Sequence, residues 1–279
     1  MDGMHHDPRA LAKALFDRAG KLWGWSLGCQ LVVFGCGILL LVFPWGYVEG
    51  LATVGALLLS GGSAVLLWRR DVTRDNAEAL LRKLDLKDLF GWELSRAEIS
   101  DLLADAPQKL IERLPVEGLG EEYFSSRQPA GPRRSMENLE ESAWLSKHLS
   151  KLTSRYCVVV ATVLLCVPVC VLLISAQAMQ DVGTSSLLAR LVIVVLTLIF
   201  SLDLLRLVTS YQGFRRNAGR AEHQARNLLA NRPIDVVPAV KVMQEYHTAR
   251  AMAPLLPTWV WRLHESRLNQ LWKQYRAKK

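Results

Sequence analysis

Apolar runs and charge-dense stretches alternate along this chain. The runs lie at residues 25–43, 47–68, 157–179 and 187–208, while 69–155 and 212–279 are dense in Arg, Lys, Glu and Asp. A helix needs about 20 apolar residues to cross roughly 30 Å of hydrocarbon, and the runs meet that length. The pattern predicts four membrane-spanning helices arranged as two hairpins. The alternative for such runs is a hairpin buried in a large soluble core. The second hairpin, 156–211, is the stretch the rest of the chain would anchor, orient or switch.

The order of elements follows from local signals. Asp7 can cap a helix that Pro8 begins, because proline at the first helical position gives up no bond the helix needs. That helix is predicted over 8–43, amphipathic first (Leu11, Leu15, Phe16, Ala19 and Leu22 against Arg9, Lys13, Arg18 and Lys21) and apolar from Trp25 on. The second span is expected to continue past Trp68 as an amphipathic extension through Leu80, Leu81 and Leu84. Ser95 and Glu98 have the spacing of a capping box, and Pro107 ends the short helix that follows. Residues 108–114 suggest one more short helix. Residues 115–135 are rich in Gly, Pro and Ser and predict a mobile loop, with Ser135 capping a helix that runs on into the third span. Pro168 can kink that span. After the fourth span the pattern predicts helix over 212–230, then 238–252, then the break around Pro254 and Pro257, then a basic amphipathic helix capped by Thr258. This last helix suits either an anionic lipid surface or docking onto the polar helices.

These boundaries divide the chain into 8–68 (an amphipathic helix with the first hairpin), 69–155 (a helical insert), 156–211 (the second hairpin) and 212–279 (a helical tail). The fold class is all-α: a four-helix transmembrane bundle with a helical cytoplasmic layer. Small residues recur every four positions, at Gly20, Gly24 and Gly28 and again at Ala52, Ala56, Ser60 and Ala64. Such stripes allow close helix approach, so Gly24, Gly28, Ala56 and Ser60 are candidate packing positions; abundance of small residues in membrane helices is the other explanation.

Composition and charge add orientation. Over 279 residues the net charge is +8. Lys and Arg collect on the cytoplasmic side of membranes. The turns 44–50 and 180–186 contain neither, whereas Arg69, Arg70, Arg74, Arg215 and Arg216 flank the spans on the other side. Both termini and the central segment are therefore expected in the cytoplasm.

Candidate chemistry is sparse. The five cysteines, Cys29, Cys36, Cys157, Cys166 and Cys170, sit in apolar runs without His or carboxylate neighbours, which argues against zinc and for packing. No phosphate loop, dinucleotide fingerprint or catalytic motif appears, so no catalytic residue, cofactor or metal is assigned and an enzyme is not expected. Asp203 and Arg206 can pair on one helix face near the end of the fourth run; they suit a pore or gate, or interfacial anchoring of the arginine. The arginine clusters, Arg215 and Arg216 among them, could hold ligand phosphates or merely set orientation and meet lipid headgroups.

The tail segment 246–263, YHTARAMAPLLPTWVWRL, resembles the tail of the SMODS-associated four-transmembrane effector family. ALFDRAGK at 14–21 and LDLKDLFGW at 84–92 also fit, as does the order hairpin, insert, hairpin, tail. The resemblance implies a bacterial inner-membrane effector of anti-phage defence that oligomerises and permeabilises the membrane. Its signal would be a cyclic nucleotide made by a neighbouring nucleotidyltransferase. It implies no catalytic motif and no DNA or RNA partner. On that basis Arg215, Arg216, Arg250, Trp259 and Arg262 are the candidate signal-binding residues, and membrane lipid and further copies of the chain are the other partners. The reading from a different class is a non-toxic membrane scaffold or sensor that recruits a partner through its cytoplasmic helices.

Overall fold

The computed structural model describes residues 7–42, 46–92, 95–112, 114, 124–178, 203–231 and 233–277. It is all-helical, with no strand among those residues. In chain order the helices are α1 (Pro8–Val42), α2 (Gly46–Phe90), α3 (Arg96–Asp105), α4 (Gln108–Ile111), α5 (Pro132–Ala178), α6 (Leu204–Ala230), α7 (Val236–Met252) and α8 (Thr258–Ala277).

Several local expectations hold. The backbone amide of Arg9 donates to Asp7 Oδ1 at 2.9 Å, closing the first turn of α1. α2 runs without a break from its apolar half into the amphipathic half. The capping box forms reciprocally: the Glu98 amide donates to Ser95 Oγ at 3.1 Å and the Ser95 amide to Glu98 Oε2 at 3.2 Å. Lys83 adds an ion pair at 3.0 Å, and these hydrogen bonds hold the Glu98 carboxyl below its ordinary range.

Other expectations are corrected. α5 begins at Pro132, inside the predicted loop, so Ser135 lies in its first turn and not at its cap. The Ser135 amide donates to Gly131 O at 3.1 Å, and its hydroxyl is buried. Gly131 has φ 148°, which lets the chain turn sharply into a helix whose first position suits proline. The short helix expected over 108–114 is one turn, α4. Asp235, unremarked in the sequence, caps α7 by accepting from the Val237 amide at 3.1 Å. α8 starts at Thr258 itself: the Val260 amide donates to Pro257 O at 3.0 Å, so the helix's first accepting carbonyl belongs to proline and Thr258 is its first residue, not its cap. Within the described end of the fourth run, Asp203 has φ 47° and α6 begins at Leu204. Asp is among the few residues that tolerate this left-handed conformation. The turn expected at 180–186, the fourth span as far as residue 202 and any effect of Pro168 on its neighbours lie outside the described residues and side chains.

The chain separates into two compact units. The first comprises Met1–Gly20, Arg70–Thr153 and Tyr211–Lys279. Its core has two clusters. In one, Ala218, Ala221 and Ala225 of α6 give the close approach that seats Met136, Leu139 and Ala143 of α5 and Val242, Met243 and Tyr246 of α7. In the other, Leu11 and Leu15 of α1 meet Ala77, Leu80 and Leu84 of α2. α8 is docked within this unit through Val260, Leu268 and Trp272. The Trp272 ring lies 5.4 Å from that of Trp144, and its Nε1 donates to Ser125 Oγ at 3.1 Å. Docking is thus the fate of the α8 apolar face, while Leu263 stays exposed.

The second unit, Lys21–Arg69 and Ser154–Ser210, inverts this pattern. α2 and α5 are each long and apolar enough to cross a membrane, and only 6% and 22% of their most apolar stretches are buried. Leu51, Leu57 and Leu58 are 77%, 69% and 73% exposed. A buried hairpin in a protein core does not describe these residues. In this unit α1 is joined to α2 by a hydrogen bond between Ser26 Oγ and Ser63 Oγ at 2.7 Å, with both side chains buried. Close approach between α1 and α2 therefore occurs at Ser26 and Ser63. Gly24, Gly28 and Ser60 are exposed and Ala56 is half-buried, and a side chain on Gly24 or Gly28 would meet nothing within 4 Å among the described residues.

Candidate functional site

The tail segment singled out by its sequence is the element around which the polar unit is tied. Residues 250–258 connect α7 to α8, and each neighbouring helix grips them differently. From α2, Arg74 Nη2 donates to Arg250 O at 2.8 Å, to Ala251 O at 2.9 Å and to Ala253 O. One guanidinium thus satisfies the carbonyls that a helix C-terminus leaves open, and places a positive charge where the helix dipole favours it. Burial pulls the Arg74 guanidinium down from its ordinary value, and Glu78 one turn later opposes that shift. Arg74 therefore does more than set orientation.

Arg250 is held in turn. Its Nε donates to Glu78 Oε1 at 3.0 Å, and its guanidinium carbon stands 5.0 Å from the centre of the Phe16 ring on α1. From α6, Tyr211 OH donates to Leu255 O at 2.6 Å. At the start of α8, Thr258 Oγ1 lies only 3.2 Å from where a side chain on Gly20 would begin. Gly20 is the last residue of its segment before the apolar unit, Tyr211 the first after it, and Arg74 follows Arg70, where the polar unit resumes. Three of the four chain segments that lead to the apolar unit are thus fastened to one nine-residue connection.

Beside this connection is a cavity of about 540 Å³. Phe16, Phe124 and Trp261 supply flat apolar wall, Arg74 and Arg250 enter already engaged beside Lys13, and Asp17, Glu78, Glu141 and Glu265 add carboxylates. Glu78 is only 3% exposed, and its second oxygen, Oε2, is buried without a hydrogen-bond partner. Farther along the unit, a buried ion cluster joins α5, α6 and α8. Glu222 accepts from Arg226 Nη2 at 2.7 Å and from Lys147 Nζ, Arg226 Nε reaches Glu140 Oε1 at 3.3 Å, and Tyr275 OH donates to that same oxygen at 3.3 Å. Burial pushes the Glu222 carboxyl up, but the hydrogen bonds from Lys147 and Arg226 outweigh it and hold the group below its ordinary range.

Of the residues predicted to bind a signal, Arg250 alone lines the cavity. Arg215 and Arg216 are exposed on α6, Arg262 is exposed on α8, and Trp259 is 48% exposed. The structure does not gather these five into one site. Asp203 and Arg206 do pair, at 3.4 Å, but both are well exposed and Asp203 precedes the helix it was expected to lie on. Sequence reasoning missed Glu78, Phe16 and Trp261. The available signal was position: Glu78 stands on the α2 stripe that includes Ala77, Leu80 and Leu84, where a carboxylate is costly unless paired. Arg74 and Arg82, four residues either side, give it the look of an ordinary surface charge pair. No group of three or more His, Cys, Asp or Glu suited to a metal occurs among the described residues. Compared with known proteins, the chain matches no family model, no curated protein and no solved structure.

Proposed function

We propose that the chain is a multi-pass inner-membrane effector in which the polar helical unit, on the cytoplasmic side, controls an apolar unit that permeabilises the membrane when signalled. The observation that carries this reading is the fastening of residues 250–258 by Gly20, Arg74 and Tyr211, each near a crossing between the two units. A signal that alters how the connection is held alters several membrane-leading segments at once. A ligand can shift such an arrangement only by contacting one form better than another, and a cavity lies against this connection.

Four spans, cytoplasmic termini and oligomerisation belong to the same proposal. They are supported by the exposed apolar faces of α2 and α5, by the apolar run at 187–208, and by the basic residues flanking the spans. Arg190, four residues past the 180–186 turn, is the basic residue nearest the side proposed to face outward. The resemblance of segment 246–263 to the four-transmembrane effector family supports the anti-phage role, with a cyclic nucleotide from a neighbouring nucleotidyltransferase as the signal class. Few polar groups lie in the spans, so a pore requires several copies of the chain.

The test is inducible expression in bacteria with a membrane-potential dye, with and without co-expressed nucleotidyltransferase. Depolarisation that depends on the signal, and that Arg250→Ala alters while protein stays in the membrane fraction, is the expected result. Cells that never depolarise with the signal present would instead favour a scaffold or sensor. Periplasm-activated reporters fused after Gly46 and Gly183 should be active and one after Ala130 silent.

A further inference from the structure

Around the nine-residue connection the polar unit displays large apolar side chains. Val260, Leu268 and Trp272 dock α8, but its first two turns also expose Trp259, Arg262 and Leu263. Met252, 82% exposed, is the last residue of α7, at the other end of the connection. Scattered singly over a surface such side chains need no account. Here they bracket a segment held level with the chain's entry into the apolar unit. Thr258 Oγ1 stands 3.2 Å from where a side chain on Gly20 would begin. From Gly20 the continuous helix α1 reaches Trp25, where the apolar run starts, in five residues, about 7.5 Å along its axis. The headgroup layer on each side of a bilayer's hydrocarbon is about 5–7 Å thick. With the apolar run in hydrocarbon, the start of α8 stands at the outer edge of the headgroups.

The far end of α8 is held elsewhere. Tyr275 OH donates to Glu140 Oε1 at 3.3 Å, and Glu140 lies fourteen residues before Ser154, where α5 leaves the polar unit, about 21 Å along the helix. α8 therefore stands up from the surface instead of lying along it, and only its first turns can meet lipid. Those turns have the chemistry of the boundary. An indole favours the headgroup level, and a guanidinium on an aliphatic stem reaches phosphate while its stem covers apolar surface. Lys21 and Arg69, also exposed, add the same sign of charge, while the carboxylates of Asp17 and Glu265 line the cavity. We propose that Trp259, Arg262 and Leu263, with Met252, form an interfacial foot that seats the polar unit in the headgroups of an anionic bilayer. The foot rests on the membrane reading above and adds to it a lipid contact made by the polar unit itself, on the connection to which three membrane-leading segments are fastened.

The experiment places a dansyl-bearing amino acid at position 263, 274 or 57 of the full chain, one at a time, with one chain per lipid nanodisc. The discs contain phosphatidylcholine alone or with phosphatidylglycerol, and nitroxide lipids labelled in the headgroup or at mid-chain act as quenchers. The label replacing Leu263 should be quenched by headgroup nitroxide at least twofold more strongly than the one replacing the exposed Gln274, and more strongly with phosphatidylglycerol present. Arg262→Glu should lower that quenching at least twofold, and Trp259→Ser should lower it as well, each in protein whose thermal unfolding is unchanged. The label replacing Leu57 reports the membrane reading separately, through mid-chain quenching. Quenching at 57 without quenching at 263 would overturn the foot and leave the membrane reading standing; no quenching at either position would remove both. Equal quenching at 263 and 274 would mean that α8 lies flat, and indifference to phosphatidylglycerol and to Arg262→Glu would overturn the anionic contact.

Discussion

The two halves of α2 obey opposite rules within one continuous helix. Between Ala77 and Leu84 the stripe of Ala77, Leu80 and Leu84 is buried, Ala77 and Leu80 completely, and the charged Glu78 is buried with it. From Leu51 to Leu58 the large apolar side chains face outward, and the buried side chain farther along that half is the hydroxyl of Ser63. Apolar surface leaves water at about 25 cal/mol per Å². A helix that hides its leucines at one end and displays them at the other has, in the displayed half, the length and apolarity needed to cross a membrane. The lesson extends to how contacts form. The polar unit is held by buried apolar clusters and paired charges, whereas in the apolar unit a buried hydrogen bond between two serines joins α1 to α2, a kind of contact that serves helices in an apolar solvent.

The sharpest way to break that comparison is a charge on the outward face. Leu57→Arg should cost about 3 kcal/mol if this face meets hydrocarbon, and protein should disappear from the membrane fraction on fractionation. The exposed Asn217→Arg in the polar unit should change accumulation by less than about 0.5 kcal/mol's worth of stability. Equal tolerance of both would mean the two halves of the molecule share one solvent.

Next in size is Arg74→Ala, which strands the carbonyls of Arg250, Ala251 and Ala253. Hydrogen bonds to a charged donor contribute about 1.5–3 kcal/mol, and a loss of about 3 kcal/mol is expected in thermal unfolding of the polar unit in detergent. Arg220→Ala, on the exposed surface of α6, serves as the control.

Acid should separate the units further. The folded-state Glu222 carboxyl is held below its unfolded value, so its contribution is present above the ordinary glutamate range and is lost as pH falls through the lowered folded value. Helical signal from the polar unit should weaken as pH drops below about 4. Glu222→Gln should flatten that dependence and cost about 2 kcal/mol at neutral pH, because Lys147 and Arg226 lose their shared partner.

The smallest effect belongs to the apolar unit. Ser26→Ala removes one inter-helix hydrogen bond and should cost about 0.6 kcal/mol, the usual scale for such bonds in membranes. Replacing Gly24 with Ala, where a new side chain meets nothing nearby among the described residues, should cost less still within one chain. A larger effect of Gly24→Ala, seen by cross-linking as lost oligomer, would mean that copies of the chain meet on this stripe.

By itself the sequence determined what depends on neighbours a few residues apart. Helix class, the cap at Asp7, the capping box of Ser95 and Glu98, the extension of α2 and the break around Pro254 and Pro257 follow from local backbone chemistry and apolar period, and all are present. The apolar length of the runs likewise followed from composition. Only the tertiary structure decided which partners those elements take. The period of α8 was compatible with lipid or protein, and Trp144 against Trp272 decided for protein. Small-residue spacing could not say that α1 and α2 meet at Ser26 and Ser63, because a four-residue repeat fixes a face and not the direction it points. Glu78, Arg74 and Arg250 are an ordinary charge pattern until residues 172 and 176 positions apart come together, since burial and hydrogen-bond partnership are properties of the packed chain.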